Sequence, residues 1–261
     1  MRQPETPEPL PPTKRNPRAH QHLDPLEFAI HPRWVLRALL IVTAILVVLS
    51  IAGQVAVYYL PDFPLRDTLA NLFDVDNEEN LPTLYSVLMF LVAALLCGFI
   101  ARAHSRADGR NVRYWSALSV VLALFAIDEF VRLHEQAGTP VREGLGITGG
   151  PFYFAWIIPA AAVVAIFGIT MLRFLRQLPL PTRHLLLTAA VCFLGGAIGL
   201  EMVGGAYRAS HVGKNMAYAL ITTVEESLEM LGTAILLYAL LHYISVVFPE
   251  TNWLVRVEAV D

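Results

Sequence analysis

The chain has 261 residues, 56% of them hydrophobic and only 16% charged, where soluble domains average about 25% charged. Two cysteines, abundant large apolar residues and a balance of 22 acidic to 19 basic side chains exclude disordered, collagen-like and disulfide-rich secreted classes, and argue against nucleic acid as the main partner. What remains is an all-α polytopic bundle with the lipid bilayer as its solvent.

Residues 1–30 read as a Pro-rich, disordered cytoplasmic tail. Seven of the 17 prolines fall within the first 25 residues, and such composition cannot bury a core. The tail lacks the apolar stretch of a cleavable signal peptide, so the first span is expected to direct insertion itself. A helix needs about 20 mostly apolar residues to cross the hydrocarbon. Six stretches meet or approach that length, giving a predicted transmembrane domain over 31–246 and a short cytoplasmic tail over 247–261. They run over 34–60, 81–101, 114–127 (where Asp128 follows), 151–172, 185–205 and 216–244. The fifth is uncharged until Glu201, and the sixth is interrupted by Glu225, Glu226 and Glu229. Cys97 and Cys192 lie within spans, at a spacing that signals neither zinc nor a disulfide, and read as small packing residues. Trp34, Trp115 and Trp156 read as interfacial or packing aromatics.

Basic residues favour the cytoplasmic side. Fourteen of the 19 Lys and Arg residues fall before or at the start of span one, between spans two and three, between spans four and five, or after span six. Only Arg66, Arg132, Arg142, Arg208 and Lys214 fall on the other side. Both termini are therefore predicted to be cytoplasmic.

With that orientation the acids gather toward the outer leaflet. The loop after span one carries Asp62, Asp67, Asp74, Asp76, Glu78 and Glu79. Span three runs outward and meets Asp128 and Glu129 after about 21 Å, and span five meets Glu201 after about 24 Å, at 1.5 Å per residue. At 100° per residue, Asp128, Arg132 and Glu135 share one stripe, from which Glu129 and His134 diverge. On span six Tyr218, Thr222, Glu225 and Glu229 share a stripe, with Glu226 to its side. Polar stripes on apolar helices face a bundle interior or a watered cavity. Six acids at mid-membrane would cost about 15–20 kcal/mol as an upper bound, beyond the typical net stability of about 5–15 kcal/mol. Some must therefore be protonated, solvated in a vestibule or bound to a cation. Asp128 and Arg132, spaced i,i+4, are also placed to neutralise each other. Gly195 and Gly199 form a small-xxx-small pattern that permits close helix contact beside Glu201.

Several familiar motifs are absent. His134-Glu135 is not followed by the second histidine of HExxH, no Glu-x-x-His pair of the di-iron kind occurs, and GLGITGG lacks the lysine of a phosphate loop. A carboxylate-rich, histidine-poor set favours Mg, Ca, Mn or Fe over Zn or Cu. The segments NEENLPTLYS, IDEFVRLHE, GAIGLEMVGG and VEESLEMLG resemble those of a group of bacterial multi-spanning membrane proteins with no established activity. The resemblance spans about residues 70–245. It implies a bacterial inner-membrane location and no catalytic assignment.

Three functional readings follow. In the first, Asp128, His134, Glu135, Glu201, Glu225 and Glu229 bind a divalent metal or another cation near the outer leaflet. Glu129, Arg132, Glu226, Tyr218 and Thr222 support them, and metal-dependent chemistry is left open. In the second, the same acids titrate in a proton- or cation-coupled transporter, although they share one leaflet and no span shows the central Gly/Pro break of a discontinuous helix. In the third, the chain is a scaffold or assembly subunit whose outer acidic loop docks a partner. A homo-oligomer or a membrane partner subunit is compatible with each.

Overall fold

The computed structural model describes residues 31–107 and 109–249. The tail expected over 1–30, and the part of the second tail beyond 249, lie outside the described residues. Among these the regular structure is entirely helical. In chain order the elements are α1 (Pro32–Tyr59), α2 (Arg66–Phe73), α3 (Leu81–Ala107), α4 (Val112–Val131), α5 (Leu133–Gly144), α6 (Ile157–Gln177), α7 (Leu180–Leu194), a π-helical segment (Gly195–Leu200), α8 (Glu201–Ser210) and α9 (Met216–Val247). The run from α7 through α8 forms one long helix, so six helices are long and apolar enough to cross a membrane. The six-span, all-helical expectation therefore holds, and α2 and α5 are short additions at one end of the bundle.

Local chemistry sets where the helices begin. Pro32 opens α1, where a missing N–H costs nothing. Asn80 Oδ1 accepts the Thr83 N–H at the start of α3 (3.1 Å). Asn215 caps α9 by accepting the Tyr218 N–H (3.0 Å).

Half of the apolar window of α3 and of α9 is buried, against 17% for each of the other four, which makes these two helices the centre of the bundle. α3 meets α4 through the Ser119 hydroxyl, which donates to the Ala94 carbonyl (2.7 Å). α9 meets α7 at Gly232, where a Cβ would stand 2.6 Å from the Phe193 nitrogen. Away from α2 and α5, Trp115 packs edge-on to Phe174 and His104 Nε2 pairs with the Tyr243 hydroxyl (2.8 Å). Cys97 is fully buried and Cys192 half-buried, both as free thiols. The outward face of α6, with Val163, Ile166 and Ile169 each at least 65% exposed, is suited to lipid.

Two local features depart from the regular helices expected. α4 stops at Val131 because Arg132 adopts a left-handed conformation (φ 62°, ψ 40°), so the stripe projected through residue 135 does not exist. The fifth span widens into a π-helix over Gly195–Leu200, where no break was expected. Within it, close contact is made by Gly196. A Cβ there would lie 2.6 Å from the Glu225 carbonyl oxygen, whereas nothing lies within 4 Å of one at Gly195 or Gly199.

Candidate cation-binding site

The segment between α2 and α3 folds back onto the bundle. The Ser50 hydroxyl accepts the Val75 N–H (3.2 Å), and the Asn80 amide donates to the carbonyls of Asn71 (3.0 Å) and Asp74 (2.6 Å). Asp74 is consequently buried, Asp76 accepts from Lys214 Nζ (2.6 Å), and Glu78 turns inward. Of the loop acids expected to form an outer docking surface, Asp62, Asp67 and Glu79 stay exposed, and the other three do not.

The left-handed Arg132 reverses the chain between α4 and α5 and carries His134 back over Asp128. Asp128 Oδ1 accepts the His134 backbone N–H (2.9 Å) while Oδ2 pairs with the ring Nδ1 (2.9 Å). One carboxylate thus serves an orphan donor at the start of α5 and fixes the imidazole. The i,i+4 neutralisation expected between Asp128 and Arg132 does not form, because Arg132 contacts Glu78 and Glu135 instead, the latter at 2.5 Å. His134, expected to diverge from Asp128, is its direct partner.

These turns gather Glu78, His134 and Glu135 so that one ligand atom from each lies within 4.8 Å of the others. With Nδ1 engaged by Asp128, Nε2 is the ring nitrogen left to coordinate. Burial raises Glu78 to about 7, helped by the Glu135 charge and opposed by Arg132. Burial alone would lower His134, but its hydrogen bond to Asp128 and the charges of Asp128, Glu78 and Glu135 outweigh this and raise it to about 9. Asp76 is also raised by burial, against the pull of Lys214.

The cluster stands at one side of a cavity of about 470 Å³. Asp128, His134, Glu135, Glu201, Glu225 and Glu229, all expected from sequence as ligands, line it together. Glu129, Glu226 and Tyr218 line it as well, so Glu226 is not off to the side as its helical angle implied. Thr222 does not line it, and its hydroxyl donates to the Ala219 carbonyl (3.2 Å). Of the six expected ligands, only His134 and Glu135 belong to the close three-residue group. Asp128 stands behind His134, and Glu201, Glu225 and Glu229 lie elsewhere on the cavity wall. Phe90, Phe125 and Phe193, with ring centroids 5.5–5.7 Å apart, form an aromatic part of the lining.

Two participants were not anticipated as such. Glu78 belongs to the NEEN segment, but its loop has no period from which an inward turn can be read. Trp156, taken as a packing or interfacial aromatic, donates its Nε1–H to Glu201 Oε1 (3.0 Å) and lies 4.9 Å from the His134 ring.

A family model described as a domain of unknown function, DUF8692, matches residues 39–244. The chain belongs to that family. The matched region runs from α1 to α9 and contains every residue of the cavity named above. No curated protein and no solved structure matches the chain.

Proposed function

We propose that this protein binds a divalent cation at the outer side of the membrane, with Glu78, His134 and Glu135 as its protein ligands. The observation that carries the reading is the convergence of their ligand atoms within 4.8 Å, with Asp128 holding the second ring nitrogen of His134. Histidines that ligate metals commonly donate their other N–H to a carboxylate in this way. One imidazole with two carboxylates suits Mn or Fe, and the oxygen-rich surroundings admit Mg or Ca. Arg132 occupies both carboxylates in the structure, so cation entry requires the guanidinium to yield or share them. The reading takes both termini as cytoplasmic, the domain as 31–246 and the membrane as a bacterial inner membrane. It is supported by the sorting of basic residues along the sequence and by the motif resemblance.

Metal analysis of purified protein, with isothermal titration of Mn²⁺ into the chelator-treated form, tests the proposal. Wild type is expected to take up one equivalent, and Glu78→Gln and His134→Ala to lose it. Absence of uptake by folded wild type, or uptake unchanged in both variants, refutes it.

A second reading, a proton- or cation-coupled transporter, is favoured by the continuation of acids along the cavity wall from Glu78 to Glu225, Glu226 and Glu229, which lie within a spanning helix. Acid-dependent flux in proteoliposomes is its test.

A further inference from the structure

The cavity's carboxyls differ in their partners. Those around the three-residue cluster are each served by a cation: Glu78 and Glu135 by Arg132, Asp128 by His134 and Asp76 by Lys214. Glu225 is only 6% exposed, it lines the cavity, and its Oε2 meets no hydrogen-bond donor among the described residues. The Glu201 carboxyl lines the same cavity, and Glu225 Oε2 reaches α8 one turn beyond it, 3.9 Å from where a Cβ on Gly204 would stand. Two carboxyls on adjoining turns of one poorly solvated wall resist ionising together, because like charges repel. Trp156 donates to Glu201 Oε1, a donor that Glu225 Oε2 lacks.

The other groups near this pair do not relieve it. Glu226 and Glu229 on α9 and Glu129 on α4 add acidity, and Tyr218 adds a neutral hydroxyl. Asp76 is tied to Lys214 and His134 to Asp128. Arg208 lies over the Tyr218 ring, 5.4 Å from its centroid, with no carboxylate in ion-pairing distance among the described residues.

We propose that the wall of the cavity formed by α8 and α9 is a proton-binding site, separate from the three-residue cluster, in which Glu201 and Glu225 share one proton. It does not depend on a metal at Glu78, His134 and Glu135. It gives the chain a proton donor and acceptor inside a spanning helix, facing the same cavity.

Infrared spectroscopy of the full-length, chelator-treated protein in nanodiscs at neutral pH reads the site directly, through the carbonyl stretch of a protonated carboxylic acid and its shift in D₂O. The difference spectrum of wild type minus Glu225→Gln is expected to contain that band. Glu201→Gln is expected to move it in frequency, and Glu225→Asp and His134→Ala to retain it. Gel filtration and a thermal melt of each variant confirm folding. A wild type with no protonated-carboxyl absorption, or a band unchanged in folded Glu225→Gln and Glu201→Gln, overturns the proposal. Because the measurement is made without metal, its failure leaves the Mn²⁺ titration intact as a separate test of the three-residue site.

Discussion

Gly196 is where the fifth span touches the helix that carries three glutamates of the cavity wall, and its replacement has a calculable consequence. A methyl group there would lie 2.6 Å from the Glu225 carbonyl oxygen and 2.9 Å from Glu229 Cγ, where ordinary contact begins at 3.4 Å. The backbone of α9 would have to retreat by about 0.8 Å at Glu225. A carbonyl in a continuous helix does not swing aside as a flexible side-chain end does. Overpacking costs about 1–3 kcal/mol and a clash with backbone falls in the upper part of that range, about 2–3 kcal/mol, while Gly→Ala in a helix recovers roughly 1 kcal/mol. Gly196→Ala is therefore expected to destabilise by about 1–2 kcal/mol, a fall in melting temperature of roughly 2–8 °C at this chain length. Gly195→Ala and Gly199→Ala, which meet nothing within 4 Å, should be neutral or stabilising by up to about 1 kcal/mol. Thermal melts of the three variants in one detergent or nanodisc preparation make the comparison. Gly196→Ala as stable as wild type, or Gly199→Ala as damaging as Gly196→Ala, refutes the reasoning and returns the contact to the Gly195/Gly199 pair.

The remaining predictions concern the cavity. Asp128→Asn keeps the shape of the His134 contact but removes its charge, so the imidazole should titrate well below the value of about 9 it has beside the carboxylate; an unchanged His134 titration by NMR refutes the assigned cause. Mn²⁺ affinity should rise with pH through the interval from about 7 to about 9, since Glu78 and His134 must lose their protons to coordinate. The stability linked to His134 runs the other way, present in full below its unperturbed value of 6.5 and lost as the pH rises through about 9; affinity and melting temperature measured across pH check both signs. Arg132→Gln should tighten Mn²⁺ about fivefold, roughly 1 kcal/mol for the loss of a half-exposed competing cation, and weaker binding would make Arg132 a support of the site. Trp156→Phe should cost about 1–3 kcal/mol by removing the donor to Glu201, read as a lower unfolding midpoint.

The membrane architecture was legible because its cause is composition over long windows. The six spans follow from the length of their apolar runs, and the structure moves their ends by at most six residues. The acids that line the cavity were legible for a related reason, since lipid cannot solvate them wherever they fall in a span. The pairing among them was not legible. Helical projection assumes that α4 continues through residue 135, and a single left-handed residue, Arg132, ends it with no glycine or proline to announce the break. That reversal exchanges the partners of Asp128 and Arg132 and brings His134 beside Asp128. Glu78 was hidden for a second reason, because a loop folded by the hydrogen bonds of Ser50 and Asn80 has no period to read. Gly196 was passed over for its neighbours because a π-helical turn shifts which glycine faces the next helix.

The cost of burying charge also changes once the cavity is in view. Six acids at mid-membrane were assigned an upper bound of about 15–20 kcal/mol, a figure that treats each as ionised and unpaired. Asp128 has a histidine partner, Glu201 has the Trp156 N–H, and Glu129, Glu226 and Glu229 are only partly buried and face the cavity. That leaves Glu225 as the one acid among the six that is buried and meets no hydrogen-bond donor. An unpaired charge there would cost roughly 3 kcal/mol, and a proton shared with Glu201 removes most of it. Arg132 and Lys214, which pair with Glu78, Glu135 and Asp76, stand in connections between helices, where the chain can bend to reach these acids. Glu225 sits on a regular helix whose approach to its neighbour is fixed by Gly196, so a small ligand that moves to it, a proton, is better suited to neutralise it than a side chain that would have to be packed there.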